Sequence, residues 1–415
     1  MRKLNKELGK MVFVSIPMVL QPLLNYCFLL LVARFSSLAE YGSLALALVL
    51  MSVIVGFSDL GLRDYLLSKG AIRKGLSSGE NLFLPASLGF LALAAGALLY
   101  LQFIGDTRTS LHLLAWLLPE AFAFGVLQRS LFFHYQKQNE LVRFSSIDAL
   151  HKSLPFVVKL AVFWSTRDLL LAVALGSLVA LGSYLTWFYS QCVRRSTFFA
   201  AGSCAFGSLG TVLTAWRSWL PFTVSFLSFF LYFGADRILI EALIGTEPLA
   251  IYAAAYSFIA VGQIAVTAFW SLYMPRISRG EAVFGQKTFI LIAMALSLVM
   301  VLCYQIFAFN FFGLFYPETY AEAALILSVL SGFFVFRLVN VVFEMHWVAK
   351  ERYTAFVKAR VTCGVISIVL NLLFIPLYGL LAPAVIIVIA EGMLTLFILT
   401  AERQWKKELL SAEAH

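Results

Sequence analysis

A chain of 415 residues that is 61% hydrophobic and 13% charged, with a mean hydropathy of +0.89, has more apolar surface than one water-soluble core of that size can bury. Its net charge of +9 would suit a polyanion, but the basic residues are dispersed through short loops between apolar runs. That pattern excludes a nucleic-acid surface and points to the anionic inner leaflet of a membrane.

Crossing about 30 Å of hydrocarbon takes roughly 20 apolar residues in a helix. The N-terminus, basic at Arg2, Lys3, Lys6 and Lys10, leads into an apolar run at 11–33. The layout is that of a signal peptide, but without an A-x-A-like cleavage site, so a retained first helix is expected. Further spans are predicted at 41–61, 82–104, 111–133, 146–166 and 168–190. A connector rich in Gly and Ser follows at 196–212, and the second half supplies spans at 216–238, 248–272, 288–310, 322–346, 358–378 and 379–401. Runs such as Leu44 to Phe57 are apolar all round rather than alternating, which selects helices over a barrel. The predicted fold is therefore all-α and polytopic: 12 transmembrane helices in two pseudo-symmetric six-helix lobes around a central cavity. The lobes are expected at 1–195 and 213–415, joined by a cytoplasmic connector at 196–212.

Of the 31 Lys and Arg, only Arg34, Arg108 and Arg167 fall in odd-numbered loops; Lys159, Arg237 and Arg337 fall within or at the rim of spans, and all the others lie on the opposite side. The positive-inside rule then places both termini in the cytoplasm. The five cysteines, Cys27, Cys192, Cys204, Cys303 and Cys363, show no CxxC spacing and read as free thiols. His134 and His151 approach the inner face without ligand spacing, so no metal is predicted. No Gly-rich phosphate loop is present, and neither a cofactor nor an enzymatic activity is expected.

The chain echoes itself once. Leu38-Ala39-Glu40-Tyr41-Gly42 corresponds to Leu249-Ala250-Ile251-Tyr252-Ala253, and the two segments follow helices ending in Ala33-Arg34 and Ala235-Asp236-Arg237.

These same residues carry a family resemblance. The stretch from Val32 to Gly70, with Ala33-Arg34, Tyr41-Gly42 and Phe57-Ser58-Asp59-Leu60-Gly61-Leu62, resembles the N-terminal hairpin of polysaccharide-export flippases of the Wzx type. Their superfamily also holds the multidrug and toxin extrusion transporters and the peptidoglycan lipid flippase. Gly234-Ala235-Asp236-Arg237 followed by Gly245 and Tyr252 is similar to a second landmark, with Ile251 and Ala253 departing from its Gly-Xaa-Tyr pattern. The resemblance implies translocation of an undecaprenyl-pyrophosphate-linked oligosaccharide repeat unit across the bacterial inner membrane by alternating access. It also implies a setting of membrane lipids, a glycan polymerase and a chain-length regulator.

Such a substrate needs fixed cations for its diphosphate and polar or aromatic surfaces for its sugars. Ionised groups at mid-membrane cost about 2.5–3.5 kcal/mol each on insertion scales, which makes every one a site candidate. The substrate-binding candidates are Lys159, Arg337, Arg237, Gln21, Asn25 and Asn340. Glu120, Asp236 and Glu391 are candidates for ion coupling, and Pro17, Pro22 and Pro221 for hinges. Each has a structural rival. Lys159 and Glu120 could form an ion pair, Arg237 could snorkel beside Asp236, Gln21 and Asn25 could join helices, and Asp59 could pair with Arg63 one turn on.

Two other classes fit a polytopic chain. One is an ion-coupled small-molecule antiporter of related fold or of the major facilitator class; against the latter, the second loop lacks a clear Gly-Xaa-Xaa-Xaa-Asp-Arg motif and the central loop is short. A glycan polymerase or acyltransferase would need a large outer loop or a clustered catalytic set, and the outer loops here are short.

Overall fold

A computed structural model describes residues 20–59, 62, 80–103, 108–138, 140–193, 223–224, 227–228, 230–231, 234–278, 286–349 and 353–413. All regular structure among them is helical. Nine helices among the described residues are long and apolar enough to cross a membrane, and a shorter apolar helix covers Leu20–Phe35. The chain divides into two compact units after Leu227. Most of the predicted seventh span and the connector at 196–212 lie outside the described residues.

The first unit contains α1 (Leu20–Phe35), α2 (Leu38–Phe57), α3 (Glu80–Phe103), α4 (Arg108–Phe122), α5 (Gln128–Lys137), α6 (Leu141–Thr166) and α7 (Leu169–Phe188). Helix α2 packs on α4, α4 on α7, and α6 along α7. The start of α2 lies in the first copy of the repeated segment. Ser37 and Glu40 form a capping box, in which the Glu40 amide donates to Ser37 Oγ at 3.2 Å and the Ser37 amide donates to Glu40 Oε2 at 3.0 Å.

Between α4 and α5 the chain widens into a π turn at Ala123–Leu127, where the Gln128 amide donates to the Ala123 carbonyl. The Gly125 carbonyl in this turn accepts a hydrogen bond from Ser58 Oγ at 2.9 Å. On the other side of Ser58, α3 approaches so closely at Gly89 that a Cβ there would overlap the Ser58 carbonyl oxygen. Ser58 is therefore clamped between two glycines, its backbone against Gly89 and its side chain against Gly125. A two-residue turn, Arg167-Asp168, joins α6 to α7. Arg167 adopts a left-handed conformation (φ 60), its guanidinium lies 3.6 Å from the centre of the Phe35 ring, and Asp168 caps α7 through the Leu171 amide at 2.9 Å.

The second unit contains α8 (Ala235–Ile244), α9 (Thr246–Ser278), α10 (Gln286–Asn310), α11 (Ala321–Ser331), α12 (Phe333–Ala349), α13 (Tyr353–Tyr378) and α14 (Leu381–Glu413). Helix α14 packs on α11, α12 and α13, while α8 lies against both α9 and α13. A single residue, Gly245, joins α8 to α9; its φ of 100 and ψ of −177 lie in a region that side chains exclude.

Of the hinge candidates, Pro22 lies near the beginning of α1, while Pro17 and Pro221 fall outside the described residues. Prolines also lie inside α3, α4, α6 and α13 at Pro85, Pro119, Pro155 and Pro376.

The glycine clamp predicts that Gly89→Ala destabilises the first unit by about 1–3 kcal/mol, the usual cost of forcing volume into a close-packed contact. Thermal unfolding of the detergent-solubilised protein should show the loss, and an unchanged melting temperature would refute the clamp.

Candidate functional site

Burying a charge without a partner is prohibitively costly, so the ion pairs within each unit show how its charges are held. In the first unit, Lys159 on α6 and Glu120 on α4 meet at 2.5 Å. Both are almost completely enclosed, at 2% and 1% exposure. Glu120 also accepts from Ser177 on α7 at 3.1 Å. The lysine stem occupies space left by Gly176, where a Cβ would stand 2.8 Å from Lys159 Cε and 3.0 Å from the Pro155 carbonyl. Its ammonium lies 4.8 Å from the centre of the Phe156 ring. The three helices α4, α6 and α7 thus converge on one closed ion pair.

Asp59, in the first landmark, pairs with Arg129 at 2.5 Å. Arg129 also donates to the Gly56 carbonyl at 3.2 Å. Arg63, the partner expected from sequence, lies outside the described residues. The Ser58-Asp59 dipeptide therefore ties the end of α2 to the π turn and to α5. A further polar group joins α6 to α7, where Asp148 accepts from Tyr184 at 2.7 Å and pairs with Lys152 at 2.9 Å. Gln21 and Asn25 on α1 are half-buried.

The second unit holds its charges differently. Asp236 on α8 accepts from the Arg237 amide at 2.8 Å and from the Tyr252 hydroxyl on α9 at 2.7 Å. These bonds give the second landmark a physical meaning: Gly245 makes the turn that brings Tyr252 back to Asp236. The Arg237 side chain has its Nε 3.8 Å from Asp236 Oδ1, and its guanidinium lies 4.2 Å from the centre of the Tyr256 ring. Arg337 on α12 stands 3.8 Å from Glu391 Oε1 on α14 and interacts electrostatically with Tyr256.

Glu391 is fully enclosed, and so is Asn340. Asn340 Nδ2 makes a short hydrogen bond to Glu391 Oε2, and the Thr395 hydroxyl donates to Asn340 Oδ1 at 2.8 Å. Glu344 and Arg360, by contrast, close at 2.9 Å, and Trp347 Nε1 donates to Glu402 at 3.1 Å.

The sequence candidates thus sort by distance. Lys159 and Glu120 form a direct ion pair inside the first unit. Asn340 and Glu391 bond directly to each other inside the second. Half-buried Arg237 and buried Arg337 each have a carboxylate at 3.8 Å, beyond hydrogen-bond length, and Tyr256 lies near both. Tyr256 is absent from the sequence candidates. The signal available for it was its position one helical turn beyond Tyr252.

This geometry belongs to a polytopic membrane fold shared with known transporters. A solved structure of the lipid II flippase MurJ, in an inward closed conformation, superposes with a TM-score of 0.72 at 14% identity, covering 94% of this chain and 87% of that one. An inward-facing multidrug resistance MATE family transporter of the MOP superfamily gives 0.70 at 16% identity, covering 97% and 99%. A MATE structure in complex with MaL6 gives 0.60 at 16% identity, with 97% of each chain covered. No curated protein matches the chain in sequence. The chain belongs to the polysaccharide biosynthesis protein family, whose family model matches residues 8–281.

If the Lys159–Glu120 pair braces the first unit, Glu120→Leu alone should cost about 3–5 kcal/mol by leaving the ammonium uncompensated. The double change Glu120→Leu with Lys159→Met should recover most of that stability. Thermal unfolding of the variants in detergent provides the readout, and a double variant as unstable as the single would contradict the brace.

Proposed function

We propose that the protein is a flippase that carries an undecaprenyl-pyrophosphate-linked oligosaccharide repeat unit across the bacterial inner membrane by alternating access, with both termini in the cytoplasm. The observation that carries this reading is the pair of arginines, half-buried Arg237 and buried Arg337, each with a carboxylate at 3.8 Å. A guanidinium presents a planar fork of donors that matches phosphoryl oxygens in two-point contact. The Lys159–Glu120, Arg129–Asp59 and Arg360–Glu344 contacts are already closed at 2.5, 2.5 and 2.9 Å.

In this reading Arg237 and Arg337 hold the diphosphate, and Tyr256 offers a ring and a hydroxyl to the adjoining sugar. Lys159 and Glu120 keep the first unit rigid. Family membership supports a role in making surface polysaccharide, and the fold supports transport as the step. A glycan polymerase and its chain-length regulator would consume the delivered units on the far side. An ion-coupled small-molecule antiporter is the second reading, favoured by the likeness to MATE transporters. It predicts that acids rather than arginines contact the substrate.

Arg337→Ala should abolish surface-glycan display while the protein remains in the membrane at normal level. Deleting the gene should make completed lipid-linked repeat units accumulate in the inner leaflet. Normal display by Arg337→Ala would remove Arg337 from the site. Repeat units that appear incomplete, or complete and already translocated, would favour an assembly or polymerisation enzyme.

A further inference from the structure

The second unit contains a polar relay that the need to hold Arg337 does not by itself explain. One oxygen of Glu391, Oε2, is fixed by the short hydrogen bond from Asn340. Asn340 Nδ2 also reaches the Glu391 backbone carbonyl at 3.1 Å. Thr395 orients Asn340 from one turn further along α14 and donates to the same Glu391 carbonyl at 3.0 Å. The other carboxylate oxygen, Oε1, faces Arg337 across 3.8 Å. A carboxylate anchored through one oxygen, with the second turned toward a guanidinium beyond hydrogen-bond length, balances the arginine's charge without closing on it.

We propose that Glu391 is the resting counter-ion of Arg337 and competes with a phosphoryl anion for it, a proton from the aqueous medium passing to Glu391 when the anion displaces it. The proposal rests on the reading of Arg337 as a phosphate-binding residue. Charge balance supplies the argument. In the resting pair the unit charges cancel. When the guanidinium engages a phosphoryl oxygen, Glu391 becomes an enclosed anion without its counter-charge, and such a group is neutralised rather than kept ionised. The proton adds to Oε1: an O–H bond forms there as the bond to hydrogen breaks in the donor, hydronium or a buffer acid of the aqueous medium, whose conjugate base stays in solution, and no redox change occurs.

The neighbouring charges do not substitute for Arg337. Arg360 on α13 and Glu344 on α12 both act on Glu391 electrostatically, but they pair with each other at 2.9 Å. Cys363 on α13 also lies within electrostatic reach. The third packed helix, α11, has no ionisable side chain beyond Glu322 in its first turn. Movement of the Arg337 charge therefore decides the state of Glu391, and anion capture and proton capture become one event.

The test is calorimetric titration of inorganic pyrophosphate into the full-length protein in phosphatidylcholine nanodiscs, in two buffers of different ionisation enthalpy. Glu391→Gln keeps the shape and removes the competing charge, so it should tighten binding about tenfold or more and lose the proton uptake seen with wild type. Arg337→Ala should lose binding. If Arg337→Ala binds normally, the phosphate-binding reading itself fails. If Arg337→Ala loses binding while Glu391→Gln binds with unchanged affinity and unchanged proton uptake, that reading stands and the exchange is overturned. Should Glu391→Gln not be recovered as folded protein, Thr395→Val, which leaves both charges in place, should give a smaller gain in affinity, and no gain overturns the exchange. Repeating the titration in phosphatidylglycerol nanodiscs separates the two sources of phosphoryl groups. Arg337-dependent competition by that lipid would assign the site to a headgroup and overturn the diphosphate assignment.

Discussion

A charge surrounded by hydrocarbon and protein persists only beside an opposite charge, and the distance at which each pair is held organises this molecule. Where cation and carboxylate touch, the pair acts as a fastener. Lys159 and Glu120 join α6 to α4 and, through Ser177, to α7, and Asp59 with Arg129 secures the end of α2 beside the π turn. Such pairs contribute little net stability over apolar groups of the same shape, but losing one partner is expensive, so they fix which helices meet. Where the charges are kept apart, as at Arg237 and Arg337, a carboxylate oxygen stands 3.8 Å from the nearest guanidinium nitrogen.

The separation is maintained by backbone and polar side chains rather than by slack. Asp236 is engaged by the Arg237 amide and by Tyr252, which limits how far it can turn toward the Arg237 guanidinium. Glu391 is fixed by Asn340, and Asn340 in turn by Thr395. At Asp236 a neutral donor takes Oδ1, the oxygen nearest the guanidinium; at Glu391 Asn340 holds Oε2 while Oε1 faces Arg337. The single-residue turn at Gly245 is needed for the first arrangement, because it returns α9 along α8 and places Tyr252 opposite Asp236.

Most of the helical framework was legible from apolar run length. The predicted spans at 82–104, 168–190 and 288–310 correspond to helices Glu80–Phe103, Leu169–Phe188 and Gln286–Asn310. Hydrocarbon thickness sets a length that sequence displays directly. The π turn at Ala123–Leu127 was not legible, because a change of hydrogen-bond register leaves no hydrophobic signature. The partners of the buried charges were legible only in part. Lys159 and Glu120, candidates for substrate binding and ion coupling, sit at similar depths in neighbouring spans, so their ion pair was legible only as the alternative to those roles. Arg337 had no acid within a turn, and Glu391 was alone in an apolar helix. Their meeting depends on α12 packing against α14, a tertiary contact that periodicity does not encode. Tyr256 carries no functional signal in the sequence, because an aromatic residue in an apolar helix is ordinarily a packing residue.

The most direct test of the account is a structure of the protein determined with an undecaprenyl-pyrophosphate-linked oligosaccharide bound. The account requires the diphosphate to lie against the Arg237 and Arg337 guanidiniums, with Arg337 farther from Glu391 than the 3.8 Å found here and the Lys159–Glu120 contact intact. A diphosphate bound elsewhere, with both arginines still facing their carboxylates, would contradict it.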